Sequence, residues 1–450
     1  DPRTGASKKS IDEAPNFAQR LAWSANGRLA TAGTRLRIWD GEALHEQWRS
    51  PDLPSPIGGI GWAADDRVVM TSQAGLRLYH SDGELLATAP PVGRSQYGRP
   101  ALLELDDSGN GWWNGRDWTL PVLGWNLRNG QPIGSVPEAR WYRVSPNGEW
   151  LVDWVPPARL FETRTGTLKR QFDIPQQSDE AAWSHDSRFL AFARTDGAVE
   201  IRDIAGGAAV GEFRAPDRTW RFRHVKYSPD DQRIAAESDG PGKLVVWDVK
   251  SKEVLWQSDA PGGNFEWSGS AFDWSPDGAE LAAWKVDGSI ARLDAGTGKP
   301  RAAALPVRPA ARELRYSPDG KYLAATESEA TAVIELATAQ EFRLPYAGVI
   351  RWMPGTQILM LTPWNRDSEI IAYDVGRRRY EGTLLPLIDN KDHLCIGPDG
   401  HYRGSPGIEQ HLVYIAEHED GRLETYSPAD FVRRFGWQNN PERAGLISEE

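Results

Sequence analysis

The chain has 450 residues with 40% hydrophobic and 26% charged side chains, enough apolar content for a packed core and far from the composition of disordered chains. A formal charge of −11 argues against nucleic acid as the main partner, because phosphate binding needs a basic face. A single cysteine, Cys395, excludes an intrachain disulfide framework and any multi-cysteine metal site.

From the first strand onward the chain repeats one phrase. WSANGRLATA at 23, WSHDSRFLAF at 183, YSPDDQRIAA at 227, WSPDGAELAA at 274 and YSPDGKYLAA at 316 each read as an aromatic strand end, a tight turn and a short apolar strand. Equivalent aromatic or aliphatic markers fall at Trp23, Trp62, Leu105, Val144, Trp183, Tyr227, Trp274, Tyr316, Trp352 and Ile396, at gaps of 36 to 47 residues. That period, with no long helical pattern inside it, is the spacing of four-stranded propeller blades. Within residues 271–303 the four predicted strands are AFDWS, ELAAW, SIARLD and KPRAA. Third strands end in pairs such as Trp39-Asp40 and Trp247-Asp248. The 44 glycines and 32 prolines, spread along the chain, supply the turns this plan requires.

With SPDG after first strands and WD after third strands, residues 18–384 resemble a bacterial WD40-type β-propeller. The resemblance implies an all-β fold of antiparallel blades: nine clear repeats and a possible tenth, expected to share one large ring because no linker interrupts the series, with two rings, or a ring completed by further residues, as the alternatives. It brings no activity with it. Four segments follow: 1–17 before the repeats, 18–384 the repeats, 385–426 a degenerate blade-like unit, and 427–450 a C-terminal helix and tail. In that last segment Ser427 as N-cap, Pro428 at the first helical position, Asp430 and the stop Gly436 predict a short helix.

Connections between first and second and between third and fourth strands are short. The others are long and uneven, and in a propeller they open on the opposite face. They carry Trp118, Trp220, Arg221, Arg223, Trp267, Trp364 and Arg366, and the terminal segment adds Arg433, Arg434 and Trp437; Trp and Arg are the residues of interface hot spots. These side chains either meet a protein partner, a second copy included, or fold back to cap their own loops.

A second set stands one residue before the markers, on the other side of each innermost strand: Glu104, Arg143, Lys226, Asp273, Arg315 and Arg351. Buried charges must be paired, so this set forms either inter-blade ion pairs or the lining of a ligand site. No nucleophile elbow, P-loop, H-E-x-x-H or haem-attachment motif occurs, and the spacing of His393, His401, His411 and His418 around Cys395 matches no compact zinc pattern. The expectation is a non-enzymatic binding or scaffold protein without cofactor or metal. The alternative is an enzyme or a small-ligand or ion receptor using the central channel. No run reaches transmembrane length, so a soluble chain is expected. The start at Asp1 rather than methionine leaves open a removed leader or a start within a longer chain.

Overall fold

A computed structural model of the chain describes residues 20–24, 26–32, 35–50, 57–63, 67–72, 75–89, 102–114, 121–137, 139–174, 178–239, 242–259, 270–285, 287–306, 313–364, 369–386, 392–417 and 423–446. Their strands form eight four-stranded sheets, one six-stranded sheet and one two-stranded sheet, every pairing antiparallel between chain neighbours. This is the all-β, bladed architecture the repeat implies.

The repeated phrase sets its own turn. Ser317 Oγ donates to Asp319 Oδ1 at 2.7 Å and accepts the Tyr322 N–H at 2.9 Å, while Asp319 accepts the Lys321 N–H at 3.0 Å. Proline fixes the preceding position of the turn, and Gly320 takes φ +69, a left-handed conformation cheap only without a Cβ. Where the repeat lacks that glycine, Ser187 (φ 60) and Asp231 (φ 54) hold the same position.

The markers staple blade to blade. Trp183 Nε1 donates to the Arg143 carbonyl and Trp352 Nε1 to the Arg315 carbonyl, each at 3.1 Å, reaching the innermost strand of the preceding blade. Small residues on second strands, among them Ala191, Ala193, Ala235, Ala236, Ala282 and Ala324, are fully buried and let neighbouring sheets approach.

Two compact units are distinguished. The smaller, Asp1–Arg94 with Pro406–Asn439, holds two blades beginning at Arg20–Trp23 and Ile57–Ala63, the hairpin of Tyr414–Glu417 and Leu423–Tyr426, and the helix Pro428–Phe435. Ser427 caps this helix by accepting the Asp430 N–H, and Gly436 ends it at φ 69, as its sequence predicts. Tyr414 stacks on Phe431 at 4.4 Å and Tyr426 meets Phe435 at 5.3 Å, so aromatic contacts seat the helix on the hairpin.

The larger unit, Ser95–Ser405 with Asn440–Glu450, holds seven blades. Their innermost strands are Leu102–Leu105, Tyr142–Val144, Ser178–Trp183, Arg221–Tyr227, Phe272–Trp274, Glu313–Tyr316 and Gly348–Trp352. The seventh blade lies against the first: Leu103, Trp113, Leu123 and Trp125 share one core with Met353, Ile358, Met360 and Ile370. The single ring of nine or ten is therefore corrected, because the third and ninth repeats of the chain are neighbours and the series returns on itself after seven. The tenth repeat is not a blade either. Its strands His393–Ile396 and Tyr402–Gly404 extend the seventh blade of the larger unit beyond Arg379–Pro386, while its remaining strands form the hairpin of the smaller unit. Thr383, Leu384 and Leu385 lie on what would otherwise be the outer edge of that blade and pair with Ile396, Cys395 and Leu394, since edge strands recruit strands.

Candidate functional site

Alternation along a strand puts every second residue on one face, and in the larger unit that face carries a circuit of charges. Glu104 Oε1 accepts from Arg143 Nη1 at 2.9 Å and from Arg351 Nη2 at 2.5 Å. Arg143 also holds Glu180 through Nη2, and Glu180 Oε2 meets His224 Nδ1 at 2.9 Å. Two residues further on the same strand, Lys226 Nζ bonds Asp273 Oδ1 and the Phe272 carbonyl, both at 2.8 Å. Arg315 stands 3.8 Å from Asp273 and 2.6 Å from Glu313. Glu313 then meets Arg351 Nη1 at 2.7 Å, which leads back to Glu104.

All seven innermost strands contribute, and each of the four carboxylates lies between two bases. Main-chain donors complete the set: the Tyr316 N–H reaches Asp273 Oδ2 at 2.8 Å, the Ile350 N–H reaches Glu313 at 3.2 Å and the Val225 N–H reaches Glu180 at 3.3 Å. A further carboxylate, Glu237 on Arg233–Asp239, is the cross-strand neighbour of His224 and accepts the Ala271 N–H at 3.3 Å.

The electrostatics follow from burial and neighbours together. Burial alone would raise Glu180 and Glu313, yet Arg143 and His224 hold the first below the usual carboxylate range, and Arg315 and Arg351 the second. Burial works against charge on Arg143 and Arg351, but their flanking carboxylates outweigh it and both lie above the ordinary arginine value. Lys226, buried and beside Arg315, is brought down to about 8 despite Asp273. His224 is raised, since Glu180 outweighs its burial, and burial raises Glu237.

The charges named from the sequence, Glu104, Arg143, Lys226, Asp273, Arg315 and Arg351, are thus brought together in one circuit. Glu180, His224 and Glu313 belong to it as well and were missed. Each stands three residues before its marker aromatic, two before the charged position of the repeat, so a period of two along the strand points to them. Ala182 occupies the position before the marker in the third blade of the larger unit, where Glu180 supplies the charge instead.

The surface candidates fall apart. Trp220 is 6% exposed and packs with Phe222, Val225 and Trp247, so it is corrected from contact residue to core: its indole closes the loop over the fourth blade of the larger unit. Arg223 pairs with Asp239 at 2.9 Å, and Arg221 is exposed. Trp364 is half-buried. In the smaller unit Arg433 and Arg434 are exposed on the last helical turn, Arg433 pairing with Asp430 at 3.1 Å, while Trp437 lies edge-on to Tyr414 at 5.4 Å. Trp118, Trp267 and Arg366 lie outside the described residues.

Near Cys395 the histidines have other work. His393 Nδ1 is 3.0 Å from Ser405 Oγ, and His401 Nδ1 accepts the Asn440 N–H at 3.0 Å. Cys395 is buried, and that burial pushes its thiol up to about 12. The side chains of His411 and His418 lie outside the described residues, among which no group of three or more His, Cys, Asp or Glu is placed to hold a metal ion. No described helix is long and apolar enough to cross a membrane.

No family model matches the chain, and no curated protein matches it. Among solved structures it is similar to the hydrazine synthase of Kuenenia stuttgartiensis, at 17% identity and a TM-score of 0.44, over 60% of this chain and 96% of that one.

Proposed function

We propose that the chain is a non-enzymatic scaffold whose exposed loops and C-terminal helix engage a protein partner. The observation that carries this reading is the circuit itself. Its carboxylates and bases satisfy one another around the innermost strands, which is the arrangement of a structural frame rather than of a site with acids converging on a substrate. A rigid frame also loses little ordering entropy when a partner docks on it. Exposed arginines are the available anchors: Arg221 at the start of an innermost strand of the larger unit, and Arg433 with Arg434 beside the exposed Val432 and Phe435 in the smaller.

The test uses the full chain purified natively from its source. A partner that co-purifies with it is expected to be lost from a variant carrying Arg221→Glu, Arg433→Glu and Arg434→Glu, with the far-ultraviolet circular dichroism of the chain unchanged. Equal retention by both proteins contradicts the proposal. So does a small molecule that co-purifies with the chain and is released by Arg315→Met with Arg351→Met.

A further inference from the structure

Between each blade of the larger unit and the next there is one seam at the innermost strands, and among the described residues an ion pair bridges every seam. Six of the seven pairs use arginine or lysine: Arg143 with Glu104, Arg143 with Glu180, Lys226 with Asp273, Arg315 with Asp273, Arg351 with Glu313, and Arg351 with Glu104. The remaining seam, between the third and fourth blades, is bridged by His224 on Glu180. The arginines keep their charge throughout and Lys226, brought down to about 8, is still mostly charged at neutral pH, whereas imidazole titrates across neutrality.

We infer that the seam between Ser178–Trp183 and Arg221–Tyr227 is a proton-controlled joint, tied at the channel while His224 carries a proton and loosened when it loses it. The geometry places His224 between two carboxylates. Glu180 reaches its Nδ1 from the preceding blade, and Glu237 faces it from the adjacent strand of its own sheet. Arg143 approaches through Glu180, and Lys226 follows two residues along the same face. A backbone irregularity between Phe222 and His224 interrupts the strand register here, so the imidazole sits at the least regular point of the innermost strand. Loss of the proton removes the cation that sits directly between Glu180 and Glu237, while Lys226 further along the strand still acts on both and Glu180 keeps Arg143 and the Val225 N–H. Apolar contacts of Ala191, Val199 and Phe213 with Phe222 and Val225 keep the outer part of the seam together. The expected change is therefore loosening at the channel rather than unfolding.

The direction with pH follows from linkage. His224 is raised in the folded chain, so its contribution is complete below the ordinary histidine value of 6.5 and is lost as pH rises through the folded value. Lys226 is lowered, so its own contribution grows with pH above about 8, the opposite sense, and belongs to the next seam.

Hydrogen exchange of the intact chain tests the joint, with residues 313–316 and 348–352, bridged by Arg351, as the internal reference. From about pH 6 to about pH 7.5, below the Lys226 titration, protection of residues 178–183 and 221–227 is expected to fall relative to that reference. In His224→Gln it is expected to be low and level across the same range. A second readout needs no variant: the imidazole proton resonances of His224 should titrate above 6.5. Equal pH profiles in the two proteins overturn the inference, and so does a His224 titration at or below 6.5.

Discussion

Each buried charge of the circuit is tolerable only because of the next one. Exchanging a buried ion pair for apolar side chains is often neutral, whereas removing one partner leaves an uncompensated charge. That logic gives an acid-side prediction. Glu180 and Glu313 are lowered in the folded chain, so the stability they supply is present above the ordinary value of 4.5 and is lost as pH falls through their folded values. Denaturation midpoints of the chain should therefore drop as acid is added below that value. Glu313→Gln should be less stable than the parent at neutral pH and lose less on acidification; a drop as steep as the parent's would remove Glu313 from the account.

At this scale the sequence was informative about one position per repeat and silent about its neighbour. The marker positions were legible because packing between blades demands a large side chain there in blade after blade, with an indole hydrogen bond added at Trp183 and Trp352. The charges were only half legible. An ion pair constrains the sum of two residues on different strands, so its members move between positions, as the exchange of Ala182 for Glu180 shows.

Among elements, turns and the terminal helix could be read directly, because Ser, Pro, Asp and Gly impose their conformations locally. Ser317 with Asp319 and Ser427 with Asp430 need no distant partner. The fate of residues 393–404 could not be read in that way. DHLCIGPDGHYRG has the pattern of two blade strands, and whether they start a new blade or extend an old one depends on which sheet edge lies within reach. Here they extend the seventh blade, and Arg403 reaches the Asn129 carbonyl of the first at 2.8 Å while His393 packs on Trp125 at 4.8 Å. Leu446, fully buried beside Cys395 and Leu384, closes the same seam from the C-terminal segment. Leu446→Ala is expected to cost about 2 to 5 kcal/mol by removing buried methyl groups and leaving a cavity. Urea unfolding monitored by tryptophan fluorescence would check it, and a change within about 0.5 kcal/mol, the range of surface substitutions, would show that the segment does not close the seam.

For the whole molecule, the repeat revealed the blades but not their grouping. Ten similar phrases with no linker say nothing about which blade meets which, since a blade's flanks are much alike along the chain. The grouping into seven rests on contacts between residues about 250 positions apart, which no local pattern encodes. Arg351 on the seventh innermost strand of the larger unit meets Glu104 on the first, and this one bond separates a series that returns after seven blades from a wider ring in which the two residues are far apart.

A double-mutant cycle on that pair therefore tests the central claim. Glu104→Gln and Arg351→Met are each expected to destabilise by about 3 to 5 kcal/mol, as broken buried pairs do. Combined, they should cost less than the sum of the two, with a coupling of about 0.5 to 3 kcal/mol, the range for residues in contact. Additivity within about 0.5 kcal/mol, the behaviour of distant sites, would contradict the seven-bladed circuit.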